Sequence, residues 1–195
     1  MIGVPQSKAC FLHRFWSFKK NIVMKKIFLS VLAVLFCVLA GAQSSKLDGA
    51  LDPLKDASLL DVEINFDDGA YKYIPEEQFA KENSDWEQIK KETSERFMEG
   101  INAKLRLTKR AAVMTDKQDF TIQVDIVSVD EKGNTISNVR FLDEKGNAFA
   151  KIDNMYASGG RFGTFCNLMG DGMEETGEKI GRTVSYYFLK KKIKL

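Results

Sequence analysis

"DFTIQVDIVSVDEKGNTISNVRFLDEKGNAFAKIDNMYA", residues 119–157, decides the fold. In its first third Phe120, Ile122, Val124 and Ile126, then either Val127 or Val129, alternate with polar residues. Period two marks a strand with one face buried, because successive side chains point to opposite sides. Two copies of "EKGN", at 131–134 and 144–147, interrupt the pattern with Gly followed by Asn, the chemistry of a tight hairpin turn. "TISNVRFLD" lies between them and "AFAKIDNMYA" follows. Three strands joined by two tight turns make an antiparallel meander. The repeated tetrapeptide is turn chemistry used twice, not a duplication.

Outward from the meander the period changes. "LLDVEINF", 59–66, alternates Leu60, Val62, Ile64 and Phe66 as a strand, and Asp67-Asp68-Gly69 is a turn before the short strand "YKYI". Pro75-Glu76-Glu77 suits the first turn of a helix, and Ser84-Asp85-Trp86-Glu87 fits a capping box. Trp86, Ile89, Thr93, Phe97, Ile101 and Leu105 then recur at three and four, opposite a charged face of Lys90, Lys91, Glu92, Glu95 and Arg96. "AAVMTD", 111–116, is a short strand. After the meander Phe165, Met169, Met173, Thr176, Ile180, Val184 and Tyr187 or Phe188 follow helical spacing, and Lys190-Lys191-Lys192 closes the helix with the charge its C-terminus prefers. The expected fold is α+β in the order β-(β)-α-β-β-β-β-α. Its antiparallel sheet has four to six strands, with two main helices packed on one face and a more polar opposite face.

"MKKIFLSVLAVLFCVLAGAQ", Met24 to Gln43, has two lysines, an apolar run from Ile27 to Ala40, and Ala40 and Ala42 in the −3 and −1 relation of a cleavage site. Those are the three parts of a secretory signal peptide. The run is about 14 residues, short of the roughly 20 a spanning helix needs. Cys37 follows bulky Phe36 where a lipobox wants a small residue, so it reads as part of the leader. Residues 1–23 read as an upstream mis-start, 24–42 as the signal peptide and 43–58 as a polar N-terminal arm. Residues 59–195 form a single domain. The exported chain, cut between Ala42 and Gln43, is periplasmic or extracellular, with no transmembrane segment.

Removing the leader inverts the charge. Lys8, Arg14, Lys19, Lys20, Lys25 and Lys26 precede Gln43 while every acid follows it, leaving 23 basic against 27 acidic residues, a net −4. That balance argues against a nucleic-acid partner. His13 is the only histidine and leaves with the leader, so no Ser-His-Asp or Cys-His arrangement remains. Cys166 is the one cysteine left, too few for an internal disulfide or a cysteine zinc site. It is either a buried small hydrophobe or one half of an intermolecular disulfide. Catalytic, cofactor and metal residues: none are expected.

The glycine-rich "SGGRFGTFCNLMGDGMEETGEKIG", 158–181, invites a phosphate-loop reading that fails on its residues. Glu178 intrudes between Gly177 and Lys179, Ile180 stands where Ser or Thr would hold Mg²⁺, and Glu174 and Glu175 repel phosphate. No GxGxxG fingerprint is present either. Structural roles fit better. Gly159 and Gly160 reverse the chain through positive φ, Gly163-Thr164 caps the helix, and Gly177 and Gly181 mark a close-packing seam one helical turn apart. Gly159, Gly160, Arg161 and Phe162 form a candidate binding tip.

"VRFLDEKGNAFAKIDNMYASGGRFG", with Val139, Phe141, Asp143, Gly146, Gly159, Gly160 and Gly163, resembles a pattern of uncharacterised bacterial envelope proteins. With its flanking elements the resemblance covers roughly residues 59–190. In outline it is similar to small α+β modules of the curli-export and TolB amino-terminal type, which assemble or dock on other envelope proteins. The chain departs from that group in lacking a lipobox cysteine. The "GAQ" ending resembles exported proteins of Bacteroidetes. The resemblance implies no catalytic residue.

Three functions are carried forward. The first is an exported non-enzymatic interaction or assembly module. It binds a protein partner or a second copy on its polar sheet face, or by strand addition at "YKYI" or "AAVMTD". The second is a periplasmic small-ligand carrier lined by Phe97, Phe120, Phe141 and Phe165, residues that equally fill a core. The third is a hydrolase using carboxylates such as Asp67-Asp68 and Glu76-Glu77.

Overall fold

A computed structural model describes residues 45–115 and 118–193, with side chains through Lys190. The expected mis-start, the signal peptide and the Ala42–Gln43 cleavage site lie outside the described residues. Ser45–Leu195 forms one unit. Its strands are β1 (Leu47–Gly49), β2 (Leu59–Asn65), β3 (Ala70–Tyr71), β4 (Ile74–Pro75), β5 (Ala111–Val113), β6 (Thr121–Val129), β7 (Thr135–Leu142) and β8 (Ala148–Ala157). The helices are α1 (Glu76–Glu82), α2 (Trp86–Leu105) and α3 (Phe165–Ile193).

The fold is α+β, and β6, β7 and β8 form the antiparallel meander that the 119–157 pattern requires. Each EKGN turn is held alike. The Asp130 carboxylate accepts the N–H groups of Lys132 and Asn134, and Asp143 those of Lys145 and Asn147. Gly133 and Gly146 take the positive φ that these turns demand, +74° and +78°. A β-bulge between Ile126 and Ser128 shifts the phase of β6, so Val129 is buried and Val127 is 38% exposed.

The sheet as a whole departs from expectation. It has eight strands rather than four to six and is mixed rather than antiparallel, in the order β1-β8-β7-β6-β2-β5, with β3 beside the far end of β6 and β4 outside it. β2 runs parallel to both β6 and β5. The cause is the helical connection between β2 and β5. A helix laid on the sheet returns the chain to the end it left, so the next strand enters parallel. The chain then crosses β2 to start β6, placing Val113 and Thr121 on either side of Asp61. Asp61 is 1% exposed and pins that crossing, accepting the N–H of Thr115 at 2.8 Å and of Gln118 at 3.0 Å. A buried carboxylate is tolerated because main-chain donors satisfy it.

Both main helices bury the stripes read from their spacing. Trp86, Ile89, Thr93, Phe97, Ile101 and Leu105 of α2 are buried, as are Met169, Met173, Thr176, Ile180, Val184 and Phe188 of α3. Their apolar members join Ile122, Val124, Val139, Phe141 and Ile152 in one core cluster. A third, short helix, α1, precedes them. The expected capping box is absent. No side chain caps α2, the Asn83 carbonyl left by α1 accepts the Trp86 N–H, and Glu87 pairs with Lys90 at 2.7 Å.

The polar arm at 43–58 is built into the domain from Leu47. β1 pairs with β8, while Leu51 and Leu54 are fully buried. Arg110 ties this segment down, donating to the carbonyls of Leu54 (3.1 Å) and Lys55 (2.8 Å) with its guanidinium 4.0 Å from the centre of the Phe188 ring.

α2 and α3 approach to main-chain contact. A Cβ on Gly177 would run into the Phe97 carbonyl and lie 2.8 Å from Ile101 N, and one on Gly181 would lie 2.6 Å from the Ile101 carbonyl oxygen. Ion pairs flank this line: Arg96 bonds Asp171 and Glu174, and Lys104 meets Glu178 at 3.0 Å.

Candidate interaction surface

Among the described residues the helices cover one face of the sheet and leave the other open. Glu63, Gln123, Arg140, Lys151 and Asp48 stand in one row across β2, β6, β7, β8 and β1. Arg140 and Lys151 are direct cross-strand neighbours, and like charges so placed are destabilising. Each is offset by its own acid, Arg140 by Asp125 and Lys151 by Asp153, both at 2.7 Å. Asp153 holds the Lys151 ammonium above its ordinary pKa, chiefly through that hydrogen bond. Tyr156, half exposed, and Val127 add apolar surface to the same side.

Side chains occupy the β5 edge and the stretch of β8 that β1 leaves unpaired. At the β5 edge the Asn102 carboxamide of α2 imitates a strand. It accepts the Ala112 N–H at 2.8 Å and donates to the Ala112 carbonyl at 3.1 Å. At the other edge, beyond β1, Lys179 donates to the Tyr156 carbonyl and Glu175 accepts the Ser158 N–H, each at 2.7 Å. The expected strand addition at "AAVMTD" therefore meets an occupied edge. "YKYI" is no free strand either, since it folds on itself as the β3–β4 hairpin.

That hairpin and the glycine loop share one end of the molecule. β3 pairs beside Ser128 and Val129, and the Lys72 N–H donates to the Val129 carbonyl. The turn residues Lys72 and Tyr73 have φ of +48° and +70°, the sign both central positions of a type I′ turn need and one that bulky side chains avoid. Lys72 Nζ lies 4.4 Å from the centre of the Phe165 ring, just past the glycine loop. Beneath them Tyr71 and Phe79 each meet Trp86 edge to face and each other at a tilt, at 4.5–5.6 Å between ring centres. Burial, with Glu76 and Asp67 nearby, pushes the Tyr71 phenol far above its ordinary pKa, so it stays neutral and donates to the Phe66 carbonyl.

The structure corrects the reading of the loop itself. Gly159 and Gly160 do not take positive φ, whereas Gly163 does, at +126°. Space is what Gly159 supplies: a Cβ there would strike the Lys132 carbonyl, and its N–H instead donates to the Asn134 side chain at 2.9 Å. Thr164 precedes the first residue of α3 and its hydroxyl accepts the Asn167 N–H at 3.4 Å. Arg161 and Phe162 project from this held loop, Phe162 being 90% exposed. The four residues of the expected tip are thus together, joined by Lys72 and Tyr73, which carry no glycine or asparagine to signal a turn. Asn102 was equally unmarked, apart from being a poor helix former in mid-helix.

The remaining candidates are dispersed. Phe97 and Phe141 are fully buried in the core, Phe165 stacks on Phe79, and Phe120 lies against Phe149, so the four line no common pocket. Two open grooves run along the flank of α2 instead. One, of about 550 Å³, is walled by charged residues and by Met98 and Met114. The other, of about 460 Å³, lies beside Asn102 and Ala112. Glu76 accepts from Trp86 Nε1 while Glu77 pairs outward with Lys81. Among the described residues no group of His, Cys, Asp or Glu is placed to hold a metal ion, and no helix is long and apolar enough to cross a membrane. Cys166 is half-buried and donates to Glu92 at 3.1 Å. Burial first, then Glu92, pushes its thiol up to about 11, which suppresses the thiolate that disulfide exchange requires.

No family model and no curated protein matches the chain. Among solved structures it is similar to the PelC dodecamer from Paraburkholderia phytofirmans, at 8% identity over 69% of this chain and 96% of that one, with a TM-score of 0.38. A point variant of that dodecamer aligns at 11% identity over 74% and 98%, TM-score 0.34. Protein XCC0632 from Xanthomonas campestris aligns at 7% identity over 69% and 87%, TM-score 0.32. Superpositions this loose concern the outline of the chain path alone.

Proposed function

We propose that the chain is an exported, non-enzymatic interaction or assembly module of the bacterial cell envelope. On this reading a protein partner or a second copy sits on the open face of the sheet. One observation carries it: the Arg140–Lys151 pair, two cations set side by side, each held by its own acid, on a face that the described helices leave uncovered. The leader at 24–42 supports export, and the resemblance to envelope docking modules supports the setting. The side chains that occupy β5 and the end of β8 favour contact through the face over strand addition at those places.

Gel filtration with light scattering, on the chain from Gln43 alone and with envelope extract, tests the proposal. An oligomer or a retained partner is expected, lost when Arg140→Glu is combined with Lys151→Glu. A strict monomer that retains nothing overturns it, as does association indifferent to those two substitutions.

A further inference from the structure

The tip carries a second, independent surface. Lys72-Tyr73 and Arg161-Phe162 repeat one chemistry on two neighbouring turns, a cation immediately followed by an exposed aromatic residue. Tyr73 is 76% exposed and Phe162 is 90% exposed. Neither exposure comes from a loose chain. The Lys72–Tyr73 turn is anchored by the Lys72 N–H on the β6 carbonyl of Val129, and the glycine loop by the Gly159 N–H on Asn134 and the Gly160 N–H on the Leu168 carbonyl. Both aromatics are therefore presented, outside water's preference and, at Tyr73, outside the backbone's.

We propose that this tip docks onto an anionic lipid surface, with Tyr73 and Phe162 entering the headgroup region while Lys72 and Arg161 meet its charge. Aromatic residues settle at the membrane–water interface, and basic side chains beside them reach the headgroups. Charge complementarity commits the surface to anions. Asp130 is spent on turn amides, Asp171 on Arg96 and Glu76 on Trp86, and exposed Glu131 is offset by adjacent Lys132, while Asp67 and Asp68 stand exposed on the turn that precedes β3. The attraction is thus local, set against an exported chain that is acidic overall.

Flotation with vesicles tests the proposal on the chain from Gln43, whose residues 45–193 build their own core. Vesicles of 30% phosphatidylglycerol in phosphatidylcholine are expected to carry the protein at low salt, and pure phosphatidylcholine to carry far less. Tyr73→Ser with Phe162→Ser lowers partitioning at least about tenfold, since each ring loses its burial. Lys72→Gln with Arg161→Gln does the same and flattens the salt dependence. A Phe162→Trp chain shows a blue-shifted emission only with the anionic vesicles. Unchanged circular dichroism and melting separate these losses from misfolding. The proposal falls if the parent does not float with phosphatidylglycerol. It falls if neutralising Lys190, Lys191 and Lys192 abolishes flotation while the tip variants retain it. It also falls if the tip variants break a protein complex in the absence of lipid.

Discussion

Replacing Gly177 by Ala measures how closely α2 and α3 meet. On an exposed helix the change gains about 1 kcal/mol, because Ala gives up less backbone freedom than Gly. Here the new methyl lies 2.8 Å from Ile101 N and closer to the Phe97 carbonyl, main-chain atoms that no rotamer change moves. An unstrained contact needs about 3.5 Å, so the helices must part by about an ångström. Overfilling a packed site costs about 1–3 kcal/mol, and a main-chain obstacle belongs at the top of that range. Net of propensity the loss is about 2 kcal/mol, or about 4–8 °C in melting temperature for a unit of this size. Gly181→Ala meets the Ile101 carbonyl at 2.6 Å and calls for the same separation. One displacement relieves both, so the double variant loses about 1 kcal/mol less than the sum of the singles. Thermal and urea unfolding by circular dichroism on the chain from Gln43 reads both quantities. A Gly177→Ala chain as stable as its parent, or more stable as propensity alone would make it, refutes the reasoning; so does strict additivity.

Four further outcomes are expected. Asn102→Ala removes both bonds to Ala112, lowering urea stability by about 1–2 kcal/mol. It also opens β5 to concentration-dependent association, read by light scattering and unaffected by Arg140→Glu with Lys151→Glu. Asp61→Ala strips the acceptor from the N–H groups of Thr115 and Gln118 and costs about 3 kcal/mol; a loss under about 1 kcal/mol would show that the crossing over β2 is not pinned there. Lys72→Asn with Tyr73→Gly supplies the residues a type I′ turn prefers and gains about 1 kcal/mol in the same melts, while abolishing vesicle flotation. Alkylation of Cys166 keeps rising with pH beyond 10, because a thiol raised to about 11 is still mostly protonated there, and Glu92→Gln speeds the reaction at pH 8.5 by removing the negative charge that helps hold the proton.

Faces were easier to read than neighbours. Which side of β6 Ile122 occupies, or which side of α2 Phe97 occupies, follows from local geometry, and every residue of those stripes announces it. Which strand lies beside β6 is settled by the path of the chain between elements. The order strand, helix, strand held the answer in part, since a helical connection implies a parallel entry. What hid it was β5, three residues of small side chains whose pairing carries no periodic signature. The packing of the arm is hidden for a related reason. Leu47, Leu51 and Leu54 stand among polar residues at spacings of no single period, and Leu51 and Leu54 become buried, with Leu47 half-buried beside them, only once β8 and Arg110 are in place to receive them.

The two surfaces differ in how they could be foreseen. Arg161 and Phe162 are conspicuous beside their glycines, but their partners Lys72 and Tyr73 occupy a turn built from residues that disfavour it, so composition points the wrong way at the place where presentation matters. The edges show the opposite case. Asn102 is unremarkable in sequence, and its effect exists only through the 2.8 Å and 3.1 Å bonds that place a carboxamide where another strand would dock. Capping an edge this way is a device against uncontrolled pairing. A chain that occupies its β5 edge and the end of β8 with side chains, yet leaves cations adjacent on the open face and aromatics raised on two turns, directs contact to those surfaces. The order of variants follows: if face and tip act separately, Arg140→Glu with Lys151→Glu leaves vesicle flotation intact, and Tyr73→Ser with Phe162→Ser leaves protein association intact. Loss of both activities in either pair would mean one surface and a single partner.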